Sequence, residues 1–181
     1  MKIFVTGKPG VGKTSVVQKT IKSLRLLGYI AGGVYCPEII VNSRRVGFEI
    51  INLKTGRRGV LAHINQKKGP RVGRYIVNIE DLDQVGVSAI KNGLESADYI
   101  VIDEVGPMEL MSRKFENAIL SALESPKPVL GVIHYRSQHP IINNIKTFKK
   151  TKIYEVTFEN RIRLHKKLAD DLKRKIKKDD H

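Results

Sequence analysis

The run Gly7-Lys8-Pro9-Gly10-Val11-Gly12-Lys13-Thr14 constrains this 181-residue chain more than any other stretch. It meets G-x-x-x-x-G-K-[ST] at every fixed position, and its context strengthens the match. Before it, residues 2–6 read as a short buried strand. After it, Val17, Ile21 and Leu24 share one helical face, and Gly28 is placed to stop that helix. A strand, a glycine-rich turn and a helix in that order build a phosphate cradle. The glycines let successive backbone N–H groups turn inward, and the helix start adds the positive end of its dipole. Lys13 is placed to reach β- and γ-phosphates, and the Thr14 hydroxyl to ligate Mg²⁺. The pattern therefore predicts a bound nucleoside triphosphate with Mg²⁺ as cofactor.

A second constellation fits the first. Tyr99-Ile100-Val101-Ile102 reads as a buried strand that delivers Asp103 and Glu104 at its C-terminal end, where ligands gather in open α/β sheets. Asp103 would hold the metal, and Glu104 would polarise a water aimed at the γ-phosphate. An acid pair after a strand also serves as a helix cap or a solvated turn. Glu109 supports Glu104 or the metal, or caps the helix that follows. His134 closes a further apolar run at 128–134. If that run neighbours the Asp103 strand, His134 senses the γ-phosphate or orients water; otherwise it is an ordinary polar strand end.

Strand-like and helical runs alternate along the rest of the chain, which implies α/β architecture with a mostly parallel sheet covered by helices on both faces. Helical spacing recurs over 80–94 and 113–123, and apolar strand-like runs over 29–35 and 152–156. The stretch 45–79 differs: apolar runs punctuated by turn residues read as hairpins, an inserted β-ribbon. Residues 159–178 read as a basic amphipathic helix with Ile162, Leu164, Leu168 and Leu172 as its apolar positions. With neither an internal repeat nor a low-complexity linker, residues 1–181 read as one domain.

Composition narrows the partners. There are 33 Lys and Arg against 18 Asp and Glu, a net charge of +15, densest toward the C-terminus. Such a field attracts nucleotides, nucleic acid or acidic surfaces, and it also simply keeps a protein soluble. The single cysteine, Cys36, excludes an internal disulfide framework and a Cys-based zinc site. No apolar run has the length of a membrane span and the start lacks a signal peptide's pattern, so a soluble, cytoplasmic protein without membrane association is expected.

Beyond the phosphate loop, the chain resembles the small nucleoside-triphosphatase family first named for a thermophile phosphohydrolase, which includes the cancer-related nucleoside-triphosphatase. The carriers are Gly33-Val34-Tyr35-Cys36-Pro37-Glu38-Ile39, Val72-Gly73-Arg74-Tyr75-Ile76-Val77, Thr157-Phe158-Glu159-Asn160-Arg161 and, far more particular, Arg45-Val46-Gly47-Phe48 and Asp103-Glu104-Val105-Gly106-Pro107-Met108-Glu109-Leu110. Cys36 stands where the family's G-F-Y-T-x-E pattern has Thr. The resemblance implies a RecA-like phosphate-loop core and Mg²⁺-dependent hydrolysis of nucleoside triphosphates with loose base selectivity. It places nucleotide contacts on residues 7–14 and on Tyr99, Ile100, Val101, Ile102, Asp103, Glu104, Val105 and Gly106.

Three function classes remain open at this level. In the hydrolase, Glu104 orients water, Lys13 and the metal neutralise developing charge, and Thr14 and Asp103 hold the metal. In a small-molecule or nucleotide kinase, which needs an acceptor pocket, the 45–79 ribbon with Arg57, Arg58 and Arg71 would stand as an Arg-rich lid over the phosphates, although a carboxylate beside the γ-phosphate favours water. In a nucleotide-controlled nucleic-acid-binding module, the basic terminal helix carries the contact. Arg45 either pairs with Glu38 as a structural bridge or reaches the triphosphate. Asn160 and Arg161 either touch the base or form a capping segment with a surface Arg.

Overall fold

Side-chain alternation along three strands decides the architecture. A computed structural model describes residues 1–179. In β1 (Lys2–Thr6), β8 (Tyr99–Val105) and β9 (Val129–Ile133), successive apolar side chains are buried on opposite faces of one sheet. A strand buried on both sides needs a helical layer on each. Ile3, Val5, Tyr99, Val101, Leu130 and Val132 face α1 (Lys13–Arg25) and α6 (Leu164–Asp179). Phe4, Ile100, Ile102, Val129 and Ile133 belong to the opposite core, with α3 (Ser88–Ser96), α4 (Arg113–Glu124) and α5 (Pro140–Thr147).

Among the described residues the sheet has ten strands. With β10 (Thr151–Glu155) and β2 (Ala31–Tyr35), the three strands above form a parallel core in the order β10-β1-β9-β8-β2. The inserted ribbon continues this sheet in antiparallel fashion. Beyond β2 come β4 (Arg44–Asn52), β5 (Arg58–His63), β7 (Tyr75–Val77) and β6 (Arg71–Val72), with β3 (Glu38–Val41) paired on β4. Close approach fixes where α3 lies on β2: a Cβ on Gly32 would sit 2.4 Å from the Gly93 Cα.

Several expectations change in detail. The ribbon begins at Glu38 rather than 45, because the two-residue turn Asn42-Ser43, both at positive φ, closes a β3–β4 hairpin. The helix expected over 80–94 starts as α2 (Ile79–Asp81), runs through a π-helical segment (Leu82–Val87) and resumes as α3. The terminal helix starts at Leu164, so Ile162 lies before it, 66% exposed. Leu164, Leu168, Leu172 and Ile176 carry its buried face. Each such side chain contributes roughly 1.5–3 kcal/mol by burial, so tertiary packing holds this Lys-rich helix in place. The helix α5 was not foreseen, although Pro140 at its first turn and Ile141, Ile142 and Ile145 signal it. Among the described residues, no helix is long and apolar enough to cross a membrane.

Candidate active site

The phosphate loop leaves β1 and enters α1 as its sequence requires. Gly7, Gly10 and Gly12 all have positive φ, and Gly12, at 105°, is the residue from which α1 starts. That conformation is strained for any residue carrying a Cβ. The helix opens without a side-chain cap or an acidic first turn, so its N-terminal N–H groups stay available to an anion. Lys13 Nζ donates to the carbonyls of Gly7 at 3.1 Å and Lys8 at 3.3 Å. Its ammonium is thereby held over the mouth of the loop.

β8 brings acid to this cradle. Asp103 is 1% exposed; its Oδ1 accepts from the Thr14 hydroxyl at 3.4 Å, and its Oδ2 is buried without a partner. Burial, then the charge of Glu104, pushes the Asp103 carboxyl up to about 7, against the Thr14 hydroxyl, the Cys36 backbone and Lys13. Glu109 lies alongside. It is buried, accepts from the Gly106 N–H at 3.1 Å, and is pushed up to about 8 by burial and by Glu104. A Cβ on Gly106 would lie 3.1 Å from Glu104 Oε1 and 3.2 Å from Glu109 Oε2, so both carboxylates flank that glycine. Enclosed acids held up in this way are markers of functional sites.

The donor set fits magnesium. A hydroxyl and an orphaned carboxylate oxygen are hard ligands, and Mg²⁺ takes one or two such groups plus phosphate oxygens and waters rather than a protein cage. Among the described residues, no group of three or more His, Cys, Asp and Glu side chains forms such a cage. Thr14 and Asp103 would hold the ion.

A cavity of about 630 Å³ joins these groups and runs on to the ribbon. Lys13, Thr14, Asp103, Glu104 and His134 line one part, and Cys36, Glu38, Arg45, Phe48, Val72 and Met108 another. Arg45 is ion-paired with Glu38, donates from Nε to the Tyr75 hydroxyl at 3.0 Å, and lies 5.1 Å from the Phe48 ring centroid. It therefore makes the structural bridge offered as one of its two readings. Phe48 is half-buried. Burial and the acids Glu109, Asp103 and Glu104 push the Cys36 thiol well above its usual range, so it stays an uncharged wall group.

The remaining expected residues divide clearly. His134 follows β9, beside β8 as anticipated, donates from its backbone to Val105 at 3.0 Å and lines the cavity. Tyr99, Ile100, Val101 and Ile102 are fully buried, so their side chains form framework behind the site. Val105 is equally buried, while Gly106 gives its N–H to Glu109. Glu109 does not cap α4; Ser112 does, accepting from Phe115 N–H at 3.1 Å. Lys8 and Pro9 sit on the exposed crest of the loop and Val11 is buried beneath it. Asn160 spends its amide on its own turn, whereas Arg161 reaches the Val11 carbonyl at 3.4 Å. Sequence reasoning did not single out Tyr35 or Gln18, which bond to each other at the cavity edge. Tyr35 lies in the Gly33–Ile39 run that carries the family resemblance, whereas no motif marks Gln18.

Known proteins share this chain's sequence pattern and fold. A family model described as NTPase matches residues 2–169. A nucleoside-triphosphatase THEP1 of Methanosarcina acetivorans is 42% identical over 177 residues, covering 97% of this chain and 99% of that protein. One from Thermofilum pendens is 44% identical, covering 93% of each. Two solved structures superpose throughout: THEP1 from the hyperthermophile Aquifex aeolicus and a human cancer-related nucleoside triphosphatase. Their TM-scores are 0.83 and 0.81 at 30% and 32% identity, covering 95% and 94% of this chain and 99% and 96% of theirs. With its phosphate loop, its buried acid cluster and these relatives, the chain belongs to the THEP1 family of nucleoside-triphosphatases.

Proposed function

We propose that this protein hydrolyses nucleoside triphosphates to diphosphate and phosphate with Mg²⁺ and with little regard to the base. The observation that carries the reading is Asp103: a buried carboxylate with one oxygen bonded to Thr14 and the other orphaned, beside an uncapped helix start. Residues 7–14 would cradle the phosphates, with the ammonium of Lys13 moving from the Gly7 and Lys8 carbonyls onto phosphate oxygens. A magnesium ion held by Thr14 and Asp103 would supply charge neutralisation at the bridging phosphates. Glu104 would orient a water in line with the γ-phosphorus and accept its proton. Glu109, protonated at neutral pH, would keep the carboxylates from repelling one another beside Gly106. His134 lines the same cavity and would orient the departing or attacking oxygen.

The test is phosphate release from ATP, GTP, CTP and UTP by wild type and Glu104→Gln. The variant is expected to keep nucleotide affinity and lose turnover at least 100-fold. Unchanged turnover would remove Glu104 from the mechanism.

A second reading, phosphoryl transfer to an organic hydroxyl, is favoured by one observation. The cavity's far wall of Phe48, Val72 and Met108 is apolar, which water as acceptor does not require. The Arg45 charge there is already matched by Glu38, so that wall suits an uncharged acceptor rather than a nucleotide. A phosphorylated product in place of free phosphate in an acceptor screen would establish this second activity.

A further inference from the structure

β1 has β9 on one flank and β10 on the other. Asp103 and Glu104 arrive from β8, beyond β9, so the metal-bound β,γ end of a triphosphate lies on the β9 flank. The α-phosphate and nucleoside then leave over the opposite flank, where residues 156–161 follow β10. This segment is fastened to the phosphate loop. Val156 N–H donates to the Thr6 carbonyl at 2.8 Å, and Arg161 Nη1 donates to the Val11 carbonyl at 3.4 Å. A Cβ on Gly7 would meet the Val156 oxygen at 2.7 Å, and one on Gly12 would lie 3.7 Å from Arg161 Cδ.

On this segment stands Phe158, 66% exposed, with the Arg161 guanidinium 4.9 Å from its ring centroid. An exposed phenylalanine alone needs no explanation. Here the ring and a planar cation are paired beside the loop, at the exit expected for the nucleoside. The amide of Asn160, which could read a base edge, is committed elsewhere. Asn160 Oδ1 accepts from Thr157 N–H at 2.9 Å, and its Nδ2 donates to the Glu155 carbonyl at 2.8 Å.

We propose that the nucleobase stacks on Phe158 with Arg161 as its planar neighbour, and that this contact sets affinity without reading base identity. Every base presents a π-face, so stacking tolerates all of them. The proposal rests on the nucleoside-triphosphatase reading and names its base site.

The experiment compares calorimetric affinities of ADP, GDP, CDP, UDP and inorganic tripolyphosphate, all with Mg²⁺, for wild type, Phe158→Ala and Phe158→Trp. Phe158→Ala is expected to weaken all four diphosphates about tenfold and to leave tripolyphosphate unchanged, while Phe158→Trp retains wild-type affinity. Unchanged diphosphate affinity in Phe158→Ala would overturn the stacking site. So would an equal loss for tripolyphosphate, which would mean the change had disturbed the phosphate loop. Phosphate release is scored separately: a protein that binds diphosphates as described yet releases no phosphate refutes the hydrolase and keeps the base site.

Discussion

The buried acid cluster makes the metal-free protein less stable than it would be without Asp103. That carboxyl is pushed from 3.8 to about 7, first by burial and then by the charge of Glu104. In the unfolded chain it ionises near 3.8, so between about pH 4 and 7 the folded state retains a proton that the unfolded state has lost. Stability therefore falls as pH rises through that window and levels off above it. Three pH units at about 1.4 kcal/mol each amount to about 4 kcal/mol by pH 8. Asp103→Asn removes the charge but places an amide where Oδ2 lacks a partner, which returns about 2 kcal/mol of the gain. The net stabilisation is about 2 kcal/mol, or roughly 4–8 °C in a chain of this size.

The assay is thermal unfolding of both proteins in chelator from pH 4.5 to 9. Asp103→Asn should melt above wild type at pH 8, and the gap should close near pH 5 and leave the variant slightly below wild type at pH 4.5. With Mg²⁺ and a nucleoside diphosphate the order should reverse, because only wild type keeps the carboxylate for the metal. A variant melting below wild type at pH 8, or a gap independent of pH, would refute the argument that this charge is held against its own solvation.

Lys2 tests the framework behind the site. Its buried ammonium donates to the carbonyls of Ala122, Ser125 and Lys127 at 2.7, 2.8 and 2.7 Å, tying β1 to the end of α4. Lys2→Met should lower stability by about 3 kcal/mol, read as a shifted denaturant midpoint at unchanged slope. Gly32→Ala should cost at least about 3 kcal/mol, because its Cβ would meet the Gly93 Cα at 2.4 Å and the Ala97 Cβ at 2.9 Å. A near-neutral effect in the same titration would mean that α3 can lift from β2.

The phosphate loop was legible because its chemistry is local: three glycines, a lysine and a threonine fix a backbone shape within eight residues. Asp103 and Glu104 were legible as the end of an apolar run. Glu109 was legible as a carboxylate near them, but the turn that sets it, with its hydrogen bond to the Gly106 N–H, was not, because no spacing rule encodes it. Ile162 misled because helical periodicity was carried one turn before the place where α6 begins. For Asn160 the sequence left a base contact and a capping segment both open, and it is the turn, with Thr157 N–H and the Glu155 carbonyl to satisfy, that takes both ends of its amide. The ribbon's strands were readable as hairpins, but their joining β2 edge-on, which carries Glu38, Arg45 and Phe48 to the cavity, is a long-range pairing.

The same acids link stability to ligand. A chain with a net charge of +15 nonetheless concentrates Asp103, Glu104 and Glu109 in one enclosed corner, where Lys13 is the nearby cation acting on Asp103. A metal-bound triphosphate would add a cation against Asp103 and an anion against Lys13 and the helix start, relieving both unpaired charges at once. Its binding should therefore be tighter, and at a fixed ligand concentration should stabilise the fold more, at pH 8, where Asp103 is ionised, than at pH 5. Product release restores those unpaired charges, so the acid cluster favours holding the metal-bound nucleotide over letting it go.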